Sequence, residues 1–299
     1  MKQLKVVWII LLAALFTAGI AAAQEKKAKT VDELAKMYDV SSCKKCHPKQ
    51  YEEWEKSIHS HSLVGTGRTM ATIRTAITDA MMKEWTKSGV KEVKDIKVEH
   101  MMHCAKCHLP QLKDATDEVA QQLAKAAIDG DEATLRKVNI NCLVCHNMKA
   151  IVHRLVDGNP EPNTIYGSKE GSHADAKFTA LKKSPIMAES ILCGQCHGLG
   201  PNFDLPNPTQ CATLYGSYLH AYVPYAGVDV ETCQDCHMHA NKKGHLMPAY
   251  RDPDQAKSAV TVDMETKGYQ VLFKAGEHIP TAAVQVKLTS NAGHRIPDG

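Results

Sequence analysis

The sequence has little aromatic filler: three Trp, nine Tyr and four Phe among 299 residues, a share of 5%. A chain of this length buries a sizeable core, so something other than aromatic side chains has to supply part of it. An excess of one charge sign is also missing, since 36 Lys and Arg face 33 Asp and Glu for a formal net charge of +3. The basic residues are scattered and form no basic motif, which argues against nucleic-acid binding. After the first 23 residues no long apolar run occurs, so no membrane span is expected there.

Those first residues, MKQLKVVWIILLAALFTAGIAAAQEKK, have their own pattern. Lys2 and Lys5 form a positive region, Val6 to about Ala18 an apolar one, and Ala21-Ala22-Ala23 a small-residue cleavage site. Residues 1–23 therefore read as a signal peptide, with a mature chain from Gln24 in the periplasm or outside the cell. The rival is an uncleaved anchor, because Val6 to Ala23 is 18 residues, the low edge for a span.

What the chain does have is cysteine in one recurring arrangement. SSCKKCHPKQ, residues 41–50, holds a Cys-x-x-Cys-His pentapeptide, which returns as CAKCH at 104–108, CLVCH at 142–146, CGQCH at 193–197 and CQDCH at 233–237. Random placement of 11 Cys and 16 His gives about 0.02 such pentapeptides. A disulfide framework gives no reason for a His after every second Cys. A zinc site needs about four ligands in another arrangement. The pentapeptide is the attachment signature of haem c: two sulfurs bond the porphyrin, and the adjacent imidazole becomes the proximal iron ligand. The expected sets are Cys43, Cys46 and His47; Cys104, Cys107 and His108; Cys142, Cys145 and His146; Cys193, Cys196 and His197; and Cys233, Cys236 and His237. Cys211 is left over and reads as a buried free thiol. Attachment of haem c outside the cytoplasmic membrane fits the leader. Five haems add roughly ten propionates, which push a near-neutral mature chain acidic.

The motifs follow no fixed period, so the chain is not a repeat array. DATDEVAQQLAKAAIDGDEATLRKVN reads as two helices, the first capped by Thr116 or Asp114 with Val119, Leu123 and Ala126 on one face. Gly130 ends it, and Asp131 caps the second. TMATIRTAITDAMMKEW is also helical in pattern, with Met70, Met81 and Met82 as packing residues rather than ligands. Gly158–Gly171 and Gly198–Pro208 read as loops. TAAVQVKLTS alternates as a strand. A lone strand cannot satisfy its edges, so it pairs with another chain or the sequence is a fragment of a longer protein. The expected fold is mainly α with extensive loops, a multihaem cytochrome wrapped around packed haems, with the start of a small C-terminal β element. Residues 24–260 form the pentahaem domain and 261–299 a β-rich segment.

Eleven histidines lie outside the motifs, more than the five distal positions need. Neutral imidazole is a good iron ligand, so bis-His coordination is favoured at most haems, which lowers potentials relative to His/Met. CKKCHPKQYEEWEKSIHSHSL resembles the first haem segment of the cytochrome c-554 and hydroxylamine oxidoreductase superfamily. There, the resemblance implies, the His twelve residues beyond the motif His caps a different haem. That position is His59, with His61 as its alternative. CGQCHGLGPN resembles another segment of the same family and points to haem 4 as the one His59 caps. Similar likenesses point to His173 in SHADAKFTALKKSPIMAESILCGQCH, to His245 in CQDCHMHANKKGHLMP, and to His294 in NAGHRIPDG, which resembles an element near the start of a C-terminal β-domain. The chain departs from pentahaem nitrite reductases, whose catalytic motif ends in Lys, and from the eight-haem hydroxylamine oxidoreductases with their crosslinked Tyr.

Three functions remain open. The leading one is an exported electron-transfer cytochrome, served by redox partner proteins such as a quinol dehydrogenase or other cytochromes. The enzymatic rival is an oxidoreductase of small nitrogen or sulfur compounds with one open haem. For it the catalytic residues are unknown, and His220, among the tyrosines of YGSYLHAYVPY, is a weak candidate. The third is a subunit of an extracellular cytochrome filament, with strand exchange between copies. Assembly into a homo-oligomer is open in each.

Overall fold

The computed structural model describes residues 27–65, 67–147, 159–198 and 213–296. The leader, Cys211, and all of the Gly198–Pro208 loop beyond its first residue lie outside them. Among the described residues no helix is long and apolar enough to cross a membrane.

Short helices joined by loops make up most of the chain as far as Ser258. Asp117–Asp129 shows why they form: Asp117 and Glu118 sit in the first turn, where the helix dipole favours acids. Val119, Leu123 and Ala126 line a buried stripe. Gly130 closes the helix in the left-handed conformation at φ 74°. Thr116 takes the N-cap position, while Asp114 accepts a hydrogen bond from the Tyr38 hydroxyl instead. The second expected helix shortens to Glu132–Leu135, capped by the Asp131 side chain on the Thr134 N–H. Arg68–Thr75 runs on into a π-wound stretch, Ala76–Glu84. Its Met81 is buried, with Met70 and Met82 packed beside it.

These helices, with Val31–Met37 and Val98–His108, enclose the main core around Leu34, Ile77, Ile96, Leu112, Val119 and Leu123. A smaller cluster of Val40, Trp54, Leu143 and Phe178 joins the first and third motifs.

Two sheets depart from the sequence expectations. The stretch read as the loop Gly158–Gly171 contains strand β1, Thr164–Gly167. After β2, Gly171–Ser172, comes β3, Ala180–Lys183, which pairs parallel with β1 and antiparallel with β2. Four-residue strands carry too little alternation to stand out. The C-terminal strand is not alone in its chain either. Strand β4, Val260–Lys274, pairs antiparallel with β5, Glu277–Ser290, from Val260 opposite Ser290 to Lys274 opposite Glu277. Cross-strand partners share a face, so Val262, Leu288, Met264, Val286 and Val284 lie together on one side, all exposed.

Candidate haem centres

Each motif sits on or just after a turn of helix. The helices Cys43–Cys46, Val98–His108, Cys142–His146 and Ile191–His197 carry four of them, and a turn followed by the π-wound Asp235–His239 carries the last. The third motif shows how the chain fixes one. The Asn141 side chain accepts from the Leu143 N–H and donates to the Tyr38 carbonyl at 2.9 Å, capping the helix and tying it to the first one. One residue earlier, the Ile140 carbonyl takes the Trp54 indole N–H at 2.8 Å, and the Ile140 N–H donates to the His59 carbonyl. The turn that carries His59 is thus pinned between the first and third motifs. At the fourth motif, Gly194 lies flat against Tyr215, where an added Cβ would stand 2.5 Å from the ring.

The imidazoles are oriented by the backbone. Nδ1 of His108 faces the Ser62 carbonyl at 2.9 Å, His146 that of Tyr166 at 2.8 Å, and His237 that of Pro248 at 2.9 Å. Outside the motifs, His173 faces the Phe178 carbonyl at 2.8 Å and His294 that of Arg295 at 2.9 Å. A carbonyl can only accept, so the proton is on Nδ1 and the Nε2 lone pair is left for a metal.

Four motif histidines face a second imidazole. Ring centres are 6.2 Å apart for His47 and His173, 6.3 Å for His59 and His197, 6.4 Å for His146 and His245, and 6.2 Å for His237 and His294. Rings in face-to-face contact would be far closer. Two imidazoles bound to opposite sides of one iron have nitrogens about 2.0–2.1 Å from it, with ring centres about 1.1 Å further back, which spaces the centres about 6.3 Å apart. Each gap therefore fits one iron, with a Cys-x-x-Cys beside it to hold the porphyrin. These residues fit haem c.

The remaining motif histidine, His108 of the second motif, faces no second imidazole among the described residues. Burial, with His197 and His108 nearby, pushes His59 down to about 4, so its ring is neutral. His61 turns its Nδ1 to Ser60 and Ser57 and pairs with no described imidazole. His220 is exposed on the helix Leu214–Ala221 and belongs to none of these imidazole pairs.

The motifs also approach one another through their sulfurs. Cys107 Sγ faces the Cys196 carbonyl at 3.5 Å and Cys196 Sγ that of Lys106 at 3.9 Å, Cys233 Sγ reaches the Ser190 carbonyl at 4.0 Å, and Cys43 and Cys142 pack against the same apolar cluster. Burial pushes the Cys145 thiol up to about 11. Cys46, in the first motif, is the exposed one among the described cysteines.

Sequence reasoning missed Asn141 and Glu53. Asn141 could have been found, because Asn before a short helix is a capping signal. The carboxylate of Glu53 meets His245 from 192 positions away, and nothing local announces that.

No curated protein and no solved structure matches the chain. A family model described as cytochrome c554 and c-prime matches residues 42–147, which hold the first three motifs, so that segment is similar to c-type cytochromes of this family, a likeness that supports covalently bound haem c and electron transfer.

Proposed function

We propose that the protein is an exported pentahaem cytochrome in which the residues 24–260 form an electron relay and most irons are held by two imidazoles. The observation that carries this reading is the set of four imidazole pairs, each spaced for one iron and each beside its own Cys-x-x-Cys. When bound, the haems supply the one-electron redox chemistry; the chain sets ligation, burial and spacing. His47, His108, His146, His197 and His237 act as proximal ligands. His173, His59, His245 and His294 act as distal ligands to the first, fourth, third and fifth haems.

The contacts between motifs support a spatial order. The first motif adjoins the third, the third adjoins the fourth through the Ile140–His59 bond, and the fourth adjoins both the second and the fifth. The fourth site is then a junction, with exposed Cys46 marking the outer end of one arm. Redox partner proteins meet the relay at its outer ends, and the signal peptide takes the protein to the periplasm or beyond.

A second reading is a haem oxidoreductase acting on a small nitrogen or sulfur compound at one open iron; among the described residues His108 is the motif histidine that faces no second imidazole, so the second site is the place to look for it. One measurement separates the two. Electron paramagnetic resonance of the oxidised holoprotein shows only low-spin signals for a pure relay, whereas a high-spin signal that shifts with a small added ligand marks the open site. Fewer than five haems per chain would overturn the pentahaem reading.

A further inference from the structure

Glu53 lies on the helix Pro48–Glu55, just after the first motif, yet it reaches the turn Gly244–Leu246 beyond the fifth. Its Oε2 accepts the backbone N–H of His245 at 2.9 Å. The same oxygen stands 3.8 Å from His245 Nδ1, with the Glu53 side chain 18% exposed. Lys49 is the cation near Glu53, 3.9 Å from Oε1, and 78% of its side chain is in solvent. The fit is close: Gly244 has a φ of +51°, and a Cβ there would collide with the carboxylate. Glycine is thus the residue this turn accepts, on conformation and on space.

The setting of His245 differs from that of its counterparts. His173, His294, His146, His237 and His108 each turn Nδ1 to a neutral backbone carbonyl. His245 meets a partly buried carboxylate instead. A carboxylate beside a metal-bound imidazole makes the ring a stronger donor and favours the more highly charged iron.

We infer that Glu53 is a positioning residue that seats His245 on its iron and lowers the reduction potential of the haem between His146 and His245. The inference rests on the reading of His146 and His245 as one axial pair. The step concerned is the transfer of one electron to ferric iron, giving ferrous iron, with a chemical reductant such as dithionite as donor in the test.

The test is spectroelectrochemical titration of the full holoprotein and its variants. His245→Ala identifies the haem: one low-spin signal turns high-spin and one midpoint moves. Glu53→Gln keeps an acceptor for the His245 N–H and removes the charge. Its expected result is a rise of that same midpoint by about tenfold in the one-electron equilibrium, about 59 mV, with the iron still low-spin. An unchanged midpoint in a folded, fully loaded Glu53→Gln protein overturns the inference. If Glu53→Gln fails to take up its haems, Glu53→Asp, which draws the charge back, must raise the midpoint by less; no shift overturns the inference equally. A His245→Ala protein with all signals unchanged shows instead that the axial pair itself is wrong.

Discussion

His59 stands 6.3 Å from His197, ring centre to ring centre, with the two planes at 86°, although it follows His47 by only twelve residues. Two imidazoles bound to one iron would both contain the line through it in their planes, so a mutual angle of 86° is compatible with shared ligation. The ring of His59 belongs to the chain segment of the first motif and faces the imidazole of the fourth. On the proposed ligation, this places a covalent tie to one haem and a coordinate bond to another within one short stretch.

Replacing His59 by Ala is therefore expected to convert one haem to high spin and raise its potential, while all five haems stay attached. Magnetic resonance and a redox titration check it. Unchanged low-spin signals would mean that His59 binds no iron.

Covalent attachment predicts that denaturation releases no haem. The mass of the denatured, acid-acetone-extracted chain should exceed that of the mature polypeptide by five haems. Replacing both Cys142 and Cys145 by Ala should reduce the increment to four.

Asn141→Ala removes the helix cap and leaves the Tyr38 carbonyl without its donor. Loss of such a cap costs about 0.5–2 kcal/mol. The thermal midpoint should fall by several degrees with an unchanged haem spectrum, because no proposed ligand is lost.

Leu123 is 2% exposed in the main core, and Leu123→Ala should cost about 2–5 kcal/mol. Lys125 lies two residues on, in an exposed pair with Asp129 at 2.6 Å, and Lys125→Ala should cost no more than about 0.5 kcal/mol. Comparing the two by denaturant unfolding tests whether the helix is held by its buried stripe.

Legibility followed the range of each signal. The motif residues stand out because attachment chemistry is confined to five consecutive positions. The Asp117–Asp129 helix was readable from its acidic start, its apolar stripe and Gly130. The juxtaposition of His59 with His197 was not readable from spacing, and only the likeness to a known superfamily suggested it. Strand β4 was overlooked although Val262, Met264 and Thr266 alternate with Asp263, Glu265 and Lys267 as in a strand, because Gly268 interrupts the run. Strands β1 and β3 pair across an excursion that holds β2, which a local reading does not see. The grip of Glu53 on His245 depends on two loops meeting in space.

The base of the long hairpin carries a consequence for design. Asn291 donates its backbone N–H to the Ala259 carbonyl at 2.9 Å and its side-chain N–H to Thr261 Oγ1 at 2.8 Å. Just beyond, the Arg295 N–H donates to Ser217 Oγ at 2.7 Å. His294 is thereby anchored at the root, and the paired strands above it form a detachable blade in a fixed socket. Lengthening, trimming or regrafting the blade at the turn between Lys274 and Glu277 should leave His294 opposite His237. A reporter domain, an affinity tag or a surface-coupling peptide inserted at that tip would reach about 45 Å from the socket, at the usual rise per strand residue, without disturbing the pair of imidazoles below.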